Sequence, residues 1–146
     1  EKVDEMIKKC ANAAAMALDC TVTLTFGLSD FADMVRNYPL ENKITELMAG
    51  YGLKVGDVPP ASGSSDVGNI SYRCPAMQSM LSITDENFAL HTRDFRDATL
   101  KPKAHDAMTK GACCLADLSL KIFNDDSFRS TVYEAWQKEL KNKQSD

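Results

Sequence analysis

The chain has 146 residues, of which 44% are hydrophobic and 26% are charged, a balance typical of a folded domain and not of a disordered segment. Its net charge of -4 argues against a basic surface for nucleic acid or for an anionic membrane. No apolar run approaches the length of a transmembrane helix, and the charged N-terminus is unlike a signal peptide. Because the first residue is Glu and not Met, we expect a fragment of a longer protein.

The first thirty residues are predicted to form a helix followed directly by a strand. Apolar residues recur every three to four positions over residues 2–18, which favours an amphipathic helix. Residues 21–26 alternate Thr with apolar residues, a pattern typical of a half-buried strand.

A second helix is predicted to begin at Pro39, because the missing N–H of proline has no partner in a first helical turn. Asn37 or Tyr38 is the expected cap. Gly50 and Gly52 are expected to end this helix.

The middle of the chain is predicted to be mostly irregular. Residues 53–69 contain several Gly and Pro, and a loop of this length is usually functional or disordered. Strands are predicted at 70–73 and 77–84, and a further irregular segment at 85–97 contains His91.

The C-terminal part is predicted to be helical. An apolar stripe runs over residues 104–123, residues 124–127 break it and cap the next helix, and a second stripe covers 128–140. The whole order of elements is that of an α/β or α+β domain. Few strands are available to cover four helices, so this domain looks incomplete.

The five cysteines are odd in number and include no C-x-x-C pair; they are Cys10, Cys20, Cys74, Cys113 and Cys114. Adjacent cysteines on a helix point to different faces, so Cys113 and Cys114 are not expected to hold one zinc ion together. We interpret all five as free, mostly buried thiols in a reducing compartment. The sequence therefore predicts a cytoplasmic protein.

Two histidines are present, His91 and His105. His105 falls on a predicted helix among charged neighbours, and we interpret it as a solvent-exposed helix residue. His91 lies in a predicted loop, where a ligand role and a structural role both stay open. Since the sequence has no H-x-x-x-H, H-E-x-x-H or C-x-x-C motif, the chain is not expected to build a closed metal site alone.

The stretch ASGSSDVGNIS, residues 61–71, is either a flexible linker or a shaped loop. Ser64 or Ser65 as a nucleophile with His91 as its base is conceivable, but nothing in the spacing selects this arrangement. Asp66 lies between small residues, where the backbone approaches a ligand closely. Its carboxylate either orients a metal-bound histidine or binds substrate polar groups, or it caps a turn.

Two blocks taken together resemble the C-terminal part of the metal-dependent amidohydrolase and peptidase family, which includes aminoacylase, carboxypeptidase G and aminobenzoyl-glutamate hydrolase. The first block reads GSSDVGNIS over residues 63–71, and the second reads HTRDF over residues 91–95. The amidohydrolase and dipeptidase branch of this family carries G-S-[ST]-D-x-G-[ND]-[VI]-S and H-T-x-x-F blocks. The resemblance covers nearly the whole chain.

The resemblance implies an α/β fold, made of the C-terminal part of a metallopeptidase-type catalytic domain and the last helix and strand of an inserted lid and dimerisation domain. Residues 1–29 are expected to be the tail of the lid domain. Residues 30–146 are expected to be the C-terminal part of the metal-binding catalytic domain.

The resemblance also implies hydrolysis of amide bonds in N-acyl amino acids or dipeptides by two divalent metal ions, zinc or alternatively manganese. The histidine that matches His91 is the last metal ligand in the family's chain. The implied partners are the N-terminal half of the same enzyme and a second copy of it, because the lid domain dimerises in relatives. The family's loop beside the metals matches Gly63, Ser64, Ser65, Asp66 and Asn69.

The chain also departs from the family pattern. The other metal ligands and the general-base glutamate belong to the family's N-terminal half, so this chain alone is expected to be inactive, with no catalytic residue of its own. Relatives often carry His-Pro shortly after the proline that matches Pro75, where this chain has Gln78 and Ser79. The alternative function is therefore a non-catalytic interaction or structural protein that retains the fold.

Overall fold

The computed structural model describes residues 2–27, 30–56 and 63–145. Within these residues the chain is helical and contains no strand. The helices are α1 (Lys2–Ala17), α2 (Tyr38–Gly50), α3 (Val67–Ser71), α4 (Arg93–Ala98), α5 (Pro102–Asn124) and α6 (Asp126–Ser145). The chain divides into two compact units, Glu1–Asp30 and Phe31–Asp146, which are described separately. Their assignment to a lid domain and a catalytic domain stays a prediction.

The first unit consists of α1 and the residues that follow it. The predicted helix over residues 2–18 is confirmed, but α1 buries none of its residues. Val3, Met6 and Ile7 all lie on its solvent-exposed surface. The Lys8 ammonium group lies 5.5 Å from the centre of the Phe26 ring, which is within the range of a cation–π contact.

The second unit has a core formed by three helices. Helix α2 packs against both α5 and α6, and α5 packs against α6. Because apolar residues recur at helical spacing along α2 and α5, each helix presents one apolar stripe to the others. The buried cluster consists of Leu40, Ile44, Met48, Cys114, Leu118 and Val132.

The ends of α2 follow the predicted chemistry. The Asn37 side-chain oxygen accepts a hydrogen bond from the backbone N–H of Leu40 at 3.2 Å, and Pro39 lies in the first turn. At the other end Gly52 has a φ of +73°, and the N–H of Leu53 donates to the carbonyl of Met48 at 3.0 Å. This is the Schellman arrangement that a glycine after the last turn favours. Asn37 as the cap and Gly52 as the stop are therefore confirmed.

The junction between α5 and α6 is also capped as the sequence predicts. The Asp125 carboxylate accepts from the backbone N–H of Phe128 at 2.8 Å and forms an ion pair with Lys121. These contacts hold the pKa of Asp125 below its ordinary value, chiefly through the hydrogen bond from Lys121. A carboxylate at a helix N-terminus also interacts favourably with the helix dipole.

Residues 31–37 run from the unit's first residue to α2 and are held by polar contacts from distant parts of the chain. Val35 and Asn37 are completely buried. The N–H of Val35 donates to the Ser71 hydroxyl oxygen at 2.9 Å, and the Asn37 amide donates to the carbonyl of Val132 at 2.9 Å. On the other side of Ser71, the indole N–H of Trp136 donates to the Ser71 carbonyl at 2.7 Å. The 31–37 segment is therefore tied to both α3 and α6.

The α/β fold class predicted from the sequence is wrong for this chain. Residues 21–26 are exposed and make no backbone–backbone hydrogen bond with another described residue, so the alternating pattern there has no partner strand. In place of the strand predicted at 70–73, residues 70 and 71 belong to α3 and residues 72 and 73 form a turn. The predicted strand at 77–84 also lacks a partner. A strand without a neighbour gains no ladder of hydrogen bonds, and alternation alone does not create one.

Residues 57–62 of the irregular segment predicted at 53–69 lie outside the described residues. Among the helices that the structure describes, none combines the length and apolarity needed to cross a membrane.

Gly68 in α3 allows the 31–37 segment to approach. A Cβ atom built at Gly68 would lie 2.0 Å from the Ala32 carbonyl oxygen, a distance that backbone atoms do not tolerate. We expect Gly68→Ala to lower the free energy of unfolding by about 3 kcal/mol or more, because the 31–37 segment must move. Chemical denaturation monitored by the fluorescence of Trp136 measures this loss.

The matched control is Gly50→Ala at the end of α2, where no atom lies within 4 Å of the added Cβ. We expect this variant to be unchanged or stabilised by up to about 1 kcal/mol, since alanine favours helix over glycine. Equal effects at the two glycines would contradict the close contact at Gly68.

Candidate functional site

The predicted pocket loop is a turn that leads into α3. Gly63 and Ser64 are exposed. The Ser65 hydroxyl oxygen accepts from the N–H of Val67 at 3.3 Å, and the Ser65 carbonyl accepts from the N–H of Gly68 at 3.2 Å. Ser65 therefore stabilises the turn that precedes α3, a common local role for serine.

Asp66 and Asn69 differ in what their side chains do. Asp66 is exposed, precedes the first residue of α3, and its carboxylate makes no capping hydrogen bond. Asn69 instead accepts from the backbone N–H of Ala32 at 2.9 Å, so it ties α3 to the 31–37 segment. The Asp66 carboxylate is thus exposed to solvent and has no capping role.

His91 has a backbone conformation that is uncommon for residues other than glycine. Its φ is 64° and its side chain is exposed. Among the described residues, its imidazole makes no hydrogen bond or ion pair. Asp19 also has a positive φ, of 51°, but it follows the end of α1, where left-handed residues are usual. His91 lies before a helix, so helix termination does not explain its conformation.

Thr92 fixes the turn that carries His91. Its hydroxyl donates to the Ala89 carbonyl at 2.7 Å and accepts from the backbone N–H of Phe95 at 3.3 Å. Thr92 is therefore the N-cap of α4, a short helix that begins inside the segment 85–97, which the sequence predicted to be irregular. A threonine two residues before Asp94 was the signal for this helix, since acids are favoured in the first turn.

The structure does not join His91 to the pocket loop. In the part of the chain that is described, no hydrogen bond or ion pair connects His91 with Ser64, Ser65 or Asp66. The contacts of the loop lead to Ala32 and the 31–37 segment instead. Asp66 and His91 are both exposed, and in the described residues no shared hydrogen bond or ion pair links them.

The side chains that the structure describes do not by themselves form a centre for two metal ions. Across the described ranges, no three His, Cys, Asp or Glu side chains are grouped so that they could hold an ion. Zinc sites in proteins ordinarily use at least three protein ligands. His105, the other imidazole, is exposed on α5 as the sequence predicts.

The prediction that the thiols are mostly buried is wrong: Cys114 is buried and Cys113 is half-buried, whereas Cys10, Cys20 and Cys74 are exposed. Burial raises the pKa of the Cys114 thiol, which lies in the helical core, and an apolar surrounding of this kind makes a thiol unreactive. Tyr51 donates its phenolic proton to Asp117 at 2.8 Å, and this hydrogen bond raises the pKa of Tyr51 to about 12. Neither group is poised for nucleophilic chemistry at neutral pH.

An open hollow of about 400 Å³ lies beside the end of α3. Its walls are formed by Ala32, Asn69, Tyr72, Arg73 and Gln144. Asp33, next to this wall, accepts a hydrogen bond from the Tyr72 hydroxyl at 2.8 Å and another from the Lys143 ammonium group. The Lys143 contact, followed by that of Tyr72, holds the pKa of Asp33 below its ordinary value. The same hydrogen bond from Tyr72 to Asp33 raises the pKa of Tyr72.

The role of the Thr92 hydroxyl in holding the turn can be tested while His91 is kept. We expect Thr92→Val to lower the free energy of unfolding by about 1 kcal/mol, because α4 loses its cap and the turn at Ala89 loses its hydroxyl bond. Thr92→Ser keeps the hydroxyl and is expected to retain most of this stability. Thermal unfolding followed by circular dichroism measures both variants. Equal losses for Val and Ser would show that the hydroxyl has no part in holding the turn.

The contribution of Asp33 to folding stability is expected to depend on pH. Its pKa is lower in the folded chain than in the unfolded chain, so its contribution to stability is present above the unfolded pKa. That contribution is lost as the pH falls through the folded pKa. The difference in Tm between the parent chain and Asp33→Asn is therefore expected to be larger at about pH 6 than below about pH 3. Glu86→Gln, which alters an exposed carboxylate elsewhere, is the control and is expected to show no such change.

No family model matches the chain, and no curated protein matches it.

Proposed function

We propose that this chain is part of a two-metal amidohydrolase that acts on N-acyl amino acids or dipeptides, and that it supplies His91 as one metal ligand. The observation that carries the proposal is the exposed imidazole of His91 on a left-handed backbone, in a turn that the Thr92 hydroxyl holds. The resemblance of HTRDF and GSSDVGNIS to blocks of that family gives the chemical class. The helical fold lends the proposal no support, so it depends on these residues and their turn.

The backbone at His91 favours a functional interpretation. A left-handed conformation costs an L-residue other than glycine about 1–2 kcal/mol, and such residues are concentrated at ligand-binding and catalytic positions. The two hydrogen bonds of the Thr92 hydroxyl hold the backbone of this turn, and so fix the point at which the His91 side chain leaves the chain. A backbone that is ordered in advance lowers the entropic cost of binding a ligand there.

The loop before α3 is proposed to line the substrate pocket with the groups that the fold leaves exposed. Gly63, Ser64 and Asp66 present backbone, hydroxyl and carboxylate to solvent. Ser65 and Asn69 hold the loop and α3 in place through their hydrogen bonds. The pocket role of Ser65 and Asn69 is therefore proposed to be indirect, through the position of their neighbours.

The remaining ligands are proposed to come from outside this chain. One imidazole does not hold a catalytic ion, so the N-terminal half of the same enzyme is the required partner, and zinc, or alternatively manganese, is the proposed metal. The exposed apolar residues of α1 support a homodimer through residues 1–29. The cysteines of the chain are all free thiols, which supports a cytoplasmic location.

A non-catalytic interaction or structural protein is the second candidate. It is favoured by the helical core, by the absence of a three-ligand group from the described residues, and by the extent of apolar surface in both units. In this interpretation the conformation of His91 serves only the turn before α4. The two candidates differ in one measurable property, which is the dependence of metal binding on His91.

The test uses the complete gene product that contains this chain, with metal content measured after dialysis against zinc. We expect the parent protein to retain two equivalents of zinc and His91→Asn to retain fewer, with loss of amide hydrolysis. Asparagine is the chosen replacement because it tolerates positive φ as readily as histidine, so the turn stays intact. Circular dichroism of the variant checks that the fold is kept.

His105→Asn is the matched control, since it removes an equally exposed imidazole from α5. It is expected to bind and hydrolyse like the parent protein. Two equivalents of zinc in His91→Asn would refute the ligand assignment. A parent protein that binds no zinc would refute the amidohydrolase and favour the interaction protein.

A further inference from the structure

The hollow beside the end of α3 is formed by three parts of the second unit. Ala32 belongs to the segment before α2, Asn69 lies in α3, Tyr72 and Arg73 follow α3, and Gln144 lies near the end of α6. The volume of about 400 Å³ falls within the size range of sites for small molecules. Because the hollow is open, it covers only part of the surface of a ligand.

Hydrogen bonds between these parts hold the walls of the hollow in position. The Asn69 side chain accepts from the backbone N–H of Ala32 at 2.9 Å. Asp33 accepts from the Tyr72 hydroxyl at 2.8 Å and from the Lys143 ammonium group, which ties the end of α6 to the segment before α2. Walls that are ordered before a ligand arrives lower the entropic cost of binding it.

Arg73 is the charged residue among the described walls of the hollow. Its side chain is exposed, and within the described residues it makes no hydrogen bond or ion pair. By contrast, Arg36, Arg96 and Arg129 each pair with a carboxylate of the chain. Arg93 on α4 is also exposed and unpaired among the described residues, but it forms no part of the hollow. A guanidinium group binds a carboxylate through two parallel N–H···O bonds, a capacity that Arg73 does not use within the described chain.

The charges at the hollow favour a ligand with one negative charge. Lys143 is paired with Asp33, so their charges offset each other, and Arg73 leaves one net positive charge on these three side chains. The chain as a whole has a net charge of -4, so this positive excess is local. A carboxylate carries one negative charge at neutral pH, whereas a phosphate group carries about −1.5 to −2. The hollow therefore matches a carboxylate better than a phosphate.

We propose that this hollow binds a small molecule through its carboxylate group. Arg73 donates to both carboxylate oxygens. The side-chain amide of Gln144, which makes no hydrogen bond with another described residue, donates to one of them. Tyr72 and Ala32 supply an apolar surface for the carbon atoms next to the carboxylate. N-acyl amino acids and dipeptides carry such a carboxylate, but the site requires neither a metal ion nor His91, so it does not depend on the amidohydrolase proposal.

The test is a titration of the isotope-labelled chain with sodium N-acetylglycine at neutral pH and constant ionic strength, followed through the NMR signals of backbone and side-chain amides. Saturable shifts are expected at millimolar concentration for Asn69, Arg73 and Gln144. The neutral N-methylamide of the same compound is expected to cause none, because it has no carboxylate. Arg73→Gln is expected to weaken the binding of N-acetylglycine about tenfold or more, since it removes a charged donor. Unchanged signals away from the hollow check that this variant keeps the fold.

Arg93→Gln is the matched control, because it removes an exposed arginine that is likewise unpaired among the described residues but lies outside the hollow. It is expected to bind N-acetylglycine like the parent chain. His91→Asn is also expected to bind like the parent, which separates this site from the proposed metal ligand.

A parent chain that shows no saturable shifts would overturn the proposal. So would equal binding by Arg73→Gln, or equal shifts with the neutral compound. Loss of binding in Arg93→Gln or in His91→Asn would place the site elsewhere and likewise overturn it. Tighter binding of inorganic phosphate than of N-acetylglycine, measured in the same way, would overturn the assignment of the hollow to a carboxylate.

Discussion

The contact between Gly68 and the Ala32 carbonyl is the constraint on which the second unit depends. Because α3 has only a hydrogen atom at this position, the 31–37 segment approaches closely enough for Asn69 and Ser71 to bind its backbone N–H groups. Ser71 in turn receives the indole N–H of Trp136. One missing Cβ thus allows α3, α6 and the segment leading into α2 to share a single polar network with no buried side-chain group left without a partner in the described chain.

This network changes how the block GSSDVGNIS is interpreted. Gly68, Asn69 and Ser71 are needed by the packing of this chain, whatever reaction it takes part in. Ser64 and Asp66 have no such role, since both are exposed and the Asp66 carboxylate makes no capping bond. A resemblance carried by the whole block therefore includes residues that the packing of this chain requires. The residues of the two blocks that this packing leaves exposed are Ser64, Asp66 and, in the second block, His91.

The long helices were predicted correctly and the strands were not, because a helix is specified locally along the chain and a strand is not. Helix α2 is specified by residues within a few positions of each other, namely the Asn37 cap, Pro39 in the first turn and Gly52 after the last. A strand is specified by a partner that lies elsewhere, and the alternation in residues 21–26 and 77–84 contains no information about whether one exists. The same limit hid the bond from Trp136 to Ser71, which joins residues 65 positions apart. Helix α4 was missed because six residues are too few to show a helical period.

The turn at His91 shows how a local backbone cost is offset. A left-handed backbone costs a residue other than glycine about 1–2 kcal/mol, and the two hydrogen bonds of the Thr92 hydroxyl hold the turn against this cost. These bonds fix the backbone and not the ring, because the exposed imidazole has no hydrogen-bond partner among the described residues. The point at which the side chain leaves the backbone is therefore set by the fold, whereas the orientation of the ring depends on whatever contacts it. A second group that accepts from one ring nitrogen is what ordinarily orients a metal-bound histidine, so any such group must come from outside the described residues.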